Sequence, residues 1–226
     1  NIMMKSCLIS ILVSLVSFTA AWGQASGTQV TETDSTLTLR NSKVRVEFPK
    51  GEAFDISKLT LNGKELVLSK GYNTVPWTLT YKGPQGENPV LFPSHGEYAG
   101  WAKTTKDGHV AIAFKWNMRL TYQDLVPVVM TVSLPGDSEL AYWDIQAGTP
   151  DGWLVSNTQF PRITVTRPDK AKLITSAGWG AEYNLSNPQV YTSSYPSVTG
   201  SMQLLFLHNP DGSVYYATED REACGK

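Results

Sequence analysis

The chain has 226 residues, 41% of them hydrophobic and 17% charged, with 19 Lys and Arg against 20 Asp and Glu. At roughly 100–200 residues per domain, this length holds one large domain or two small ones. Balanced charge argues against an electrostatically driven nucleic-acid partner, which needs a basic patch or stripe, while 13 Pro, 18 Gly and 11% aromatics point to an all-β chain.

Residues 4–25 read as a secretion leader. Lys5 gives the positive flank, residues 8–18 the apolar stretch, and Ala21-Trp22-Gly23 or Gly23-Gln24-Ala25 the small-residue exit. A membrane-spanning helix needs about 20 predominantly apolar residues, and this run is shorter and broken by Ser10, Ser14 and Ser17. Export to the periplasm or the cell exterior is expected, with no membrane attachment after cleavage. Cys7 lies in the leader, so the mature chain keeps only Cys224 and has no internal disulfide. Both ends read as cut: Asn1-Ile2 precedes two methionines, and Gly225-Lys226 follows no closing strand. The expected layout is a leader over 1–25, a polar lead-in over 26–35 that is disordered or an early edge strand, and a β-domain over 36–226.

Alternation with period 2 dominates the mature chain. Val44, Val46 and Phe48 alternate with Lys43, Arg45 and Glu47, a strand with one wet face. Leu59 and Leu61 run into Asn62-Gly63, with Leu66 and Leu68 beyond. Asn-Gly between such runs predicts a hairpin, because a type I′ turn needs positive φ at both central residues. Asp107-Gly108 and Asn209-Pro210-Asp211-Gly212 repeat the signal. Residues 77–81, 110–116, 118–122, 125–134 and 140–146 are rich in β-branched and aromatic side chains and predict further strands. Pro127 belongs at an edge or a bulge, where no ladder donor is needed. In all, about fourteen short strands are expected, the pattern of a sandwich or barrel.

The stretch 178–200 differs. It shows little alternation, and sets Trp179, Tyr183, Tyr191 and Tyr195 among Gly, Ser, Asn and Pro. Loops of about 20 residues are uncommon in compact domains and are often functional. Aromatic rings stack on the C–H faces of sugars while nearby polar groups bond the hydroxyls, a half-apolar, half-wet pairing suited to Trp and Tyr. These four residues are therefore the candidate carbohydrate contacts. Of the six tryptophans after the leader, Trp116 and Trp143 sit in alternating strands and read as core. Trp101 and Trp153 fall between those two cases and Trp179.

Catalytic signals are weak. His95, His109 and His208 are scattered with no partner at metal-ligand spacing, so no metal is expected. No phosphate cradle or nucleophile elbow is present, and no cofactor is expected. His95-Gly96-Glu97 is a possible acid/base pair, read more simply as polar loop residues. A glycosidase needs two carboxylates about 5–5.5 Å or 6.5–9.5 Å apart, and nothing in the spacing pairs Glu97, Asp124, Asp144 or Glu182.

The C-terminal third carries Phe160-Pro161-Arg162-Ile163, a Gly-rich aromatic loop, Tyr195-Pro196-Ser197, Ser201-Met202-Gln203 and the run from Gly212 to Asp220, in that order. With the opening run from Leu39 to Phe48 and Leu59 to Leu66, this series resembles the N-terminal β-domain of a family of secreted bacterial proteins. That family carries a domain of unknown function and is regarded as a group of candidate glycoside hydrolases. The resemblance implies a galactose-mutarotase-like supersandwich, a large two-sheet antiparallel β-sandwich. It further implies a (β/α)₈ barrel beyond this chain, bearing the catalytic carboxylates at its C-terminal face. No catalytic residue is then expected here, and Tyr195, Pro196 and Ser197 contribute at most to a sugar-facing rim. The leading expectation is a non-catalytic domain that frames a carbohydrate cleft. A stand-alone carbohydrate-binding module is the alternative, and a mutarotase or epimerase using His95, Glu97 or Glu182 is the third.

Overall fold

A computed structural model describes residues 27–50, 55–66, 75–122, 124–163, 170–176, 180–185, 204–209 and 212–217. The leader lies outside them. Every strand pair among the described residues is antiparallel, and the fold is all-β.

The N-terminal sheet is a meander of β1 (Gln29–Glu32), β2 (Thr36–Arg40), β3 (Val44–Pro49), β4 (Lys58–Leu61) and β5 (Lys64–Leu66). Within the polar lead-in, residues 29–32 form the edge strand β1, with Val30 against the core and Thr28 Oγ1 donating to Leu134 O at 2.8 Å. The β4–β5 turn has φ of 48° at Asn62 and 77° at Gly63, the two positive values that the Asn-Gly pair implies.

Next in the chain come β6 (Thr78–Lys82) and β7 (Val90–Leu91), then the central sheet of β8 (Gly96–Lys106), β9 (His109–Arg119), β10 (Leu125–Leu134) and β11 (Tyr142–Ala147). β12 (Leu154–Gln159) returns to pair with β6, giving a small sheet ordered β12-β6-β7. The C-terminal sheet comprises β13 (Lys172–Thr175), β14 (Ala181–Asn184), β15 (Leu204–Asn209) and β16 (Gly212–Ala217), in the order β14-β13-β15-β16.

Several boundaries differ from the sequence reading. Residues 110–116 and 118–122 do not form two strands: β9 runs unbroken to Arg119, and residues 120–122 lie beyond its end. Asn117 is simply one more outward residue in the alternation. Residues 96–106 form β8, although His95-Gly96-Glu97 looked like loop. Residues 181–184, inside the expected long loop, form β14 against β13. Pro127 lies in β10, an interior strand, but at the point where β11 ends: β11 pairs from Val128 onward, and Gly148 N–H donates to Pro127 O at 2.8 Å.

One hydrophobic core joins three of the sheets. Leu37, Leu39, Val44, Val46 and Phe48 from the N-terminal sheet face Ile112, Phe114, Trp116, Met118, Val128, Met130 and Val132 of the central sheet. The Phe48 and Phe114 rings lie 4.7 Å apart and the Trp77 and Trp116 rings 5.5 Å apart, edge to face. Each large apolar side chain so buried contributes about 1.5–3 kcal/mol. Asn41 fastens the rim: its Nδ2 donates to Pro135 O and Ser138 O, and its Oδ1 accepts from the backbone of Lys43 and Val44. This layered closure leaves one broad face of the central sheet pointing away from the core.

Candidate functional site

The outward face of the central sheet carries the site. A 3-10 turn at Pro93–His95 feeds the chain into β8. Gly96 is required there, since a Cβ would lie 2.8 Å from Asn117 O and would also strike the Met118 sulfur. That close approach holds His95 and Glu97 against β9. Beyond them the β8–β9 register shifts between Tyr98 and Gly100, with Gly100 at φ 102°. Such a bulge adds one residue to a strand and re-aims its side chains. Here it brings both Tyr98 and Trp101 to the core side, beside Trp116 and Phe114 respectively, and leaves Glu97 outward beside Asn117.

Arg119 follows Asn117 on the same face of β9, and Leu125 lies opposite it on β10. Together His95, Gly96, Glu97, Asn117, Arg119 and Leu125 line a half-open cleft of about 270 Å³. Its volume lies close to the lower end of the range of about 300–1,000 Å³ typical of ligand pockets, and it is open to solvent on one side. Arg119 Nη1 donates to Tyr122 O at 3.0 Å, which fixes the guanidinium at the rim. The His95 ring rests on Phe92, centroids 3.5 Å apart. Tyr122 is 90% exposed and Leu125 59%, so apolar surface borders the polar cleft.

This set is chemically suited to polyhydroxylated ligands. A carboxylate accepts hydroxyl protons, a guanidinium donates through a planar fork, and an amide does both. Beneath the cleft, Tyr98 is pushed up to about 12 by burial, its ring 5.7 Å from Trp116.

The other nominated residues lie elsewhere. Tyr183 is half-buried on β14 opposite Leu173. Trp179, Tyr191 and Tyr195, with Pro196 and Ser197, lie outside the described residues. Trp77 and Trp116 are fully buried, and Trp101, Trp143 and Trp153 are half-buried against the same core. Glu182 belongs to the C-terminal sheet and pairs with Lys172 at 2.6 Å. Asp144 faces Lys106 at 3.7 Å, and Asp124 accepts from Thr121 Oγ1 at 2.8 Å in the β9–β10 turn. Glu97 and Asp144 stand on opposite edge strands of the central sheet, three spacings of about 4.8 Å apart. They cannot serve as the carboxylate pair of a glycosidase, which spans at most about 9.5 Å. His109 is a strand-surface residue stacked over Tyr142, and His208 Nδ1 bonds Ser213 Oγ at 2.7 Å. No group of three potential metal ligands comes together among the described residues, and none of their helices is long and apolar enough to cross a membrane.

Asn117, Arg119 and Leu125 were not singled out from sequence. Their one signal was the alternation of Lys115, Asn117 and Arg119 with Phe114, Trp116 and Met118, which marks a wet face without saying what lies beside it.

No family model matches the chain. One comparison is informative. A Bacteroides thetaiotaomicron protein described as "Putative glycoside hydrolase" is 36% identical over 221 residues, a match that covers 97% of this chain. The chain spans only 33% of that protein's length. Similarity therefore extends over nearly all of this chain and ties it to one part of a larger protein.

Proposed function

We propose that this chain is a non-catalytic β-domain of an exported glycoside hydrolase, a sandwich of the galactose-mutarotase-like kind. In this reading the cleft around Glu97, Asn117 and Arg119 holds part of a carbohydrate chain. The observation that carries it is the 36% identity to one third of a protein described as "Putative glycoside hydrolase". Glu97 and Asp144 stand too far apart to act together as one carboxylate pair. The leader-like run at 4–25 supports export.

A second reading has one specific observation in its favour. His95 and Glu97 line the same cleft, as proton transfer in a mutarotase or epimerase would need; Glu182, in another sheet, drops out of that scheme.

The test compares the 226-residue chain with the full-length polypeptide that carries it, on a panel of aryl glycosides and oligosaccharides, scoring both hydrolysis and anomerisation. Hydrolysis by the full-length protein and neither reaction by the chain is the expected result. Hydrolysis by the chain alone overturns the non-catalytic assignment. Anomerisation that is lost in His95→Gln moves the second reading to first place.

A further inference from the structure

The C-terminal sheet has a composition at odds with its exposure. β15 reads Leu204-Leu205-Phe206-Leu207, four apolar residues in a row. Uninterrupted runs of this kind belong to strands covered on both faces, whereas a strand with one wet face alternates. Yet among the described residues of β13, β14, β15 and β16 no side chain is fully buried.

The two faces have different surroundings. On one, the Tyr216 hydroxyl donates to Phe160 O at 3.0 Å, so Tyr216 leans on the body of the domain although Leu205 beside it stays exposed; burial there raises the Tyr216 pKa. On the other, Ile174, Phe206 and Tyr215 stand in one cross-strand row, with Leu204 and Ala217 in the next. The Phe206 and Tyr215 rings meet at 4.8 Å, and Tyr215 is 44% exposed. The row at the far end is polar, with Asn184, Lys172, His208 and Ser213: His208 bonds Ser213 at 2.7 Å, and Lys172 pairs diagonally at 2.6 Å with Glu182, the β14 neighbour of Ile174 that ends the apolar row at the sheet edge. An apolar centre bordered by satisfied polar groups is the anatomy of a protein–protein interface.

We propose that this outward face, centred on Phe206 and Tyr215, is where the rest of the parent polypeptide docks in cis. The inference rests on the reading above, that the chain is one part of a longer glycoside hydrolase. Length supports this occupant, since two thirds of the matched protein lies outside the alignment. Geometry does as well: a flat sheet face suits a second layer about 10 Å away, while two rings tilted at 42° give no flat platform for a sugar.

Hydroxyl-radical footprinting of the full-length protein tests the assignment, with three tyrosines of equal intrinsic reactivity as its scale. Tyr122, at 90% exposure, marks open surface and Tyr81, at 0%, marks the core. Docking predicts that Tyr215 is modified as slowly as Tyr81. Modification at about half the Tyr122 rate, the ratio of 44% to 90% exposure, means an uncovered face and overturns the proposal. Protection lost on dilution assigns the face to a second copy of the chain, and protection seen only with added oligosaccharide assigns it to sugar; both overturn the cis assignment. Glycosidase activity measured on the same sample separates the two claims. Slow Tyr215 modification in a protein with no activity leaves docking standing without the enzymatic reading, and an active protein with open Tyr215 does the reverse.

Discussion

The central and C-terminal sheets each have four antiparallel strands rich in aromatic and branched residues, yet they differ in how they are covered. In β9, Phe114, Trp116 and Met118 are sealed into the core while Lys115, Asn117 and Arg119 stand in water. In β15 and β16 the described apolar side chains lie on both faces, and none is fully buried. Alternation of the kind seen over residues 114–119 of β9 specifies a stretch that one partner layer completes, and the chain supplies that layer through Phe48 and Trp77. A continuous apolar run specifies a sheet that needs two layers. The same difference separates the roles proposed for them: the central sheet turns its polar face to a ligand, the C-terminal sheet turns an apolar face to protein.

Truncating one aromatic in each sheet gives the largest expected contrast. Phe114→Ala opens a cavity in a closed core, and urea unfolding of the chain should show a loss of about 3–5 kcal/mol. For Phe206→Ala in the same chain the loss should fall to about 1–2 kcal/mol, since the ring is only partly buried. In the full-length protein the Phe206→Ala cost should rise toward the core value. Equal costs for the two substitutions in the isolated chain would remove the distinction between the sheets.

A smaller effect is expected from alkali. Tyr98 is held at about 12 in the folded domain against an ordinary value of 10.0. Its neutral form is favoured by folding, so its contribution is fully present below pH 10 and is lost as pH rises from 10 toward 12. The urea midpoint should fall over that window, and Tyr98→Phe should fall less steeply. Identical slopes for the two proteins would place the alkaline weakness elsewhere.

Much of the fold was legible because turn chemistry and alternation are local. Asn62-Gly63 and Asp107-Gly108 sit in their hairpins with positive φ at all four residues, and residues 125–134 form β10 as read. The strands that escaped notice break a local rule for a tertiary reason. β8 hides its period because the bulge before Gly100 puts Tyr98 and Trp101, three apart, on the same face. β14 lies in a Gly-rich stretch and gains its ladder only from β13. The candidate site was half visible. His95 and Glu97 were noticed as neighbours, but Asn117 and Arg119 join them only through the β8–β9 register, which no local pattern announces. Aromatic counting led elsewhere, because five of the six tryptophans after the leader turn out to serve the core.

Affinity electrophoresis of the chain through polysaccharide gels, alongside Glu97→Ala, Arg119→Ala and Trp179→Ala, tests the carbohydrate role of the cleft most directly. Glu97 and Arg119 are exposed, so these substitutions should change stability by no more than about 0.5 kcal/mol. The account predicts that the chain is retarded and that Glu97→Ala and Arg119→Ala each abolish the retardation. Retardation that survives both substitutions but disappears with Trp179→Ala would contradict it and hand the sugar contact to the 178–200 segment.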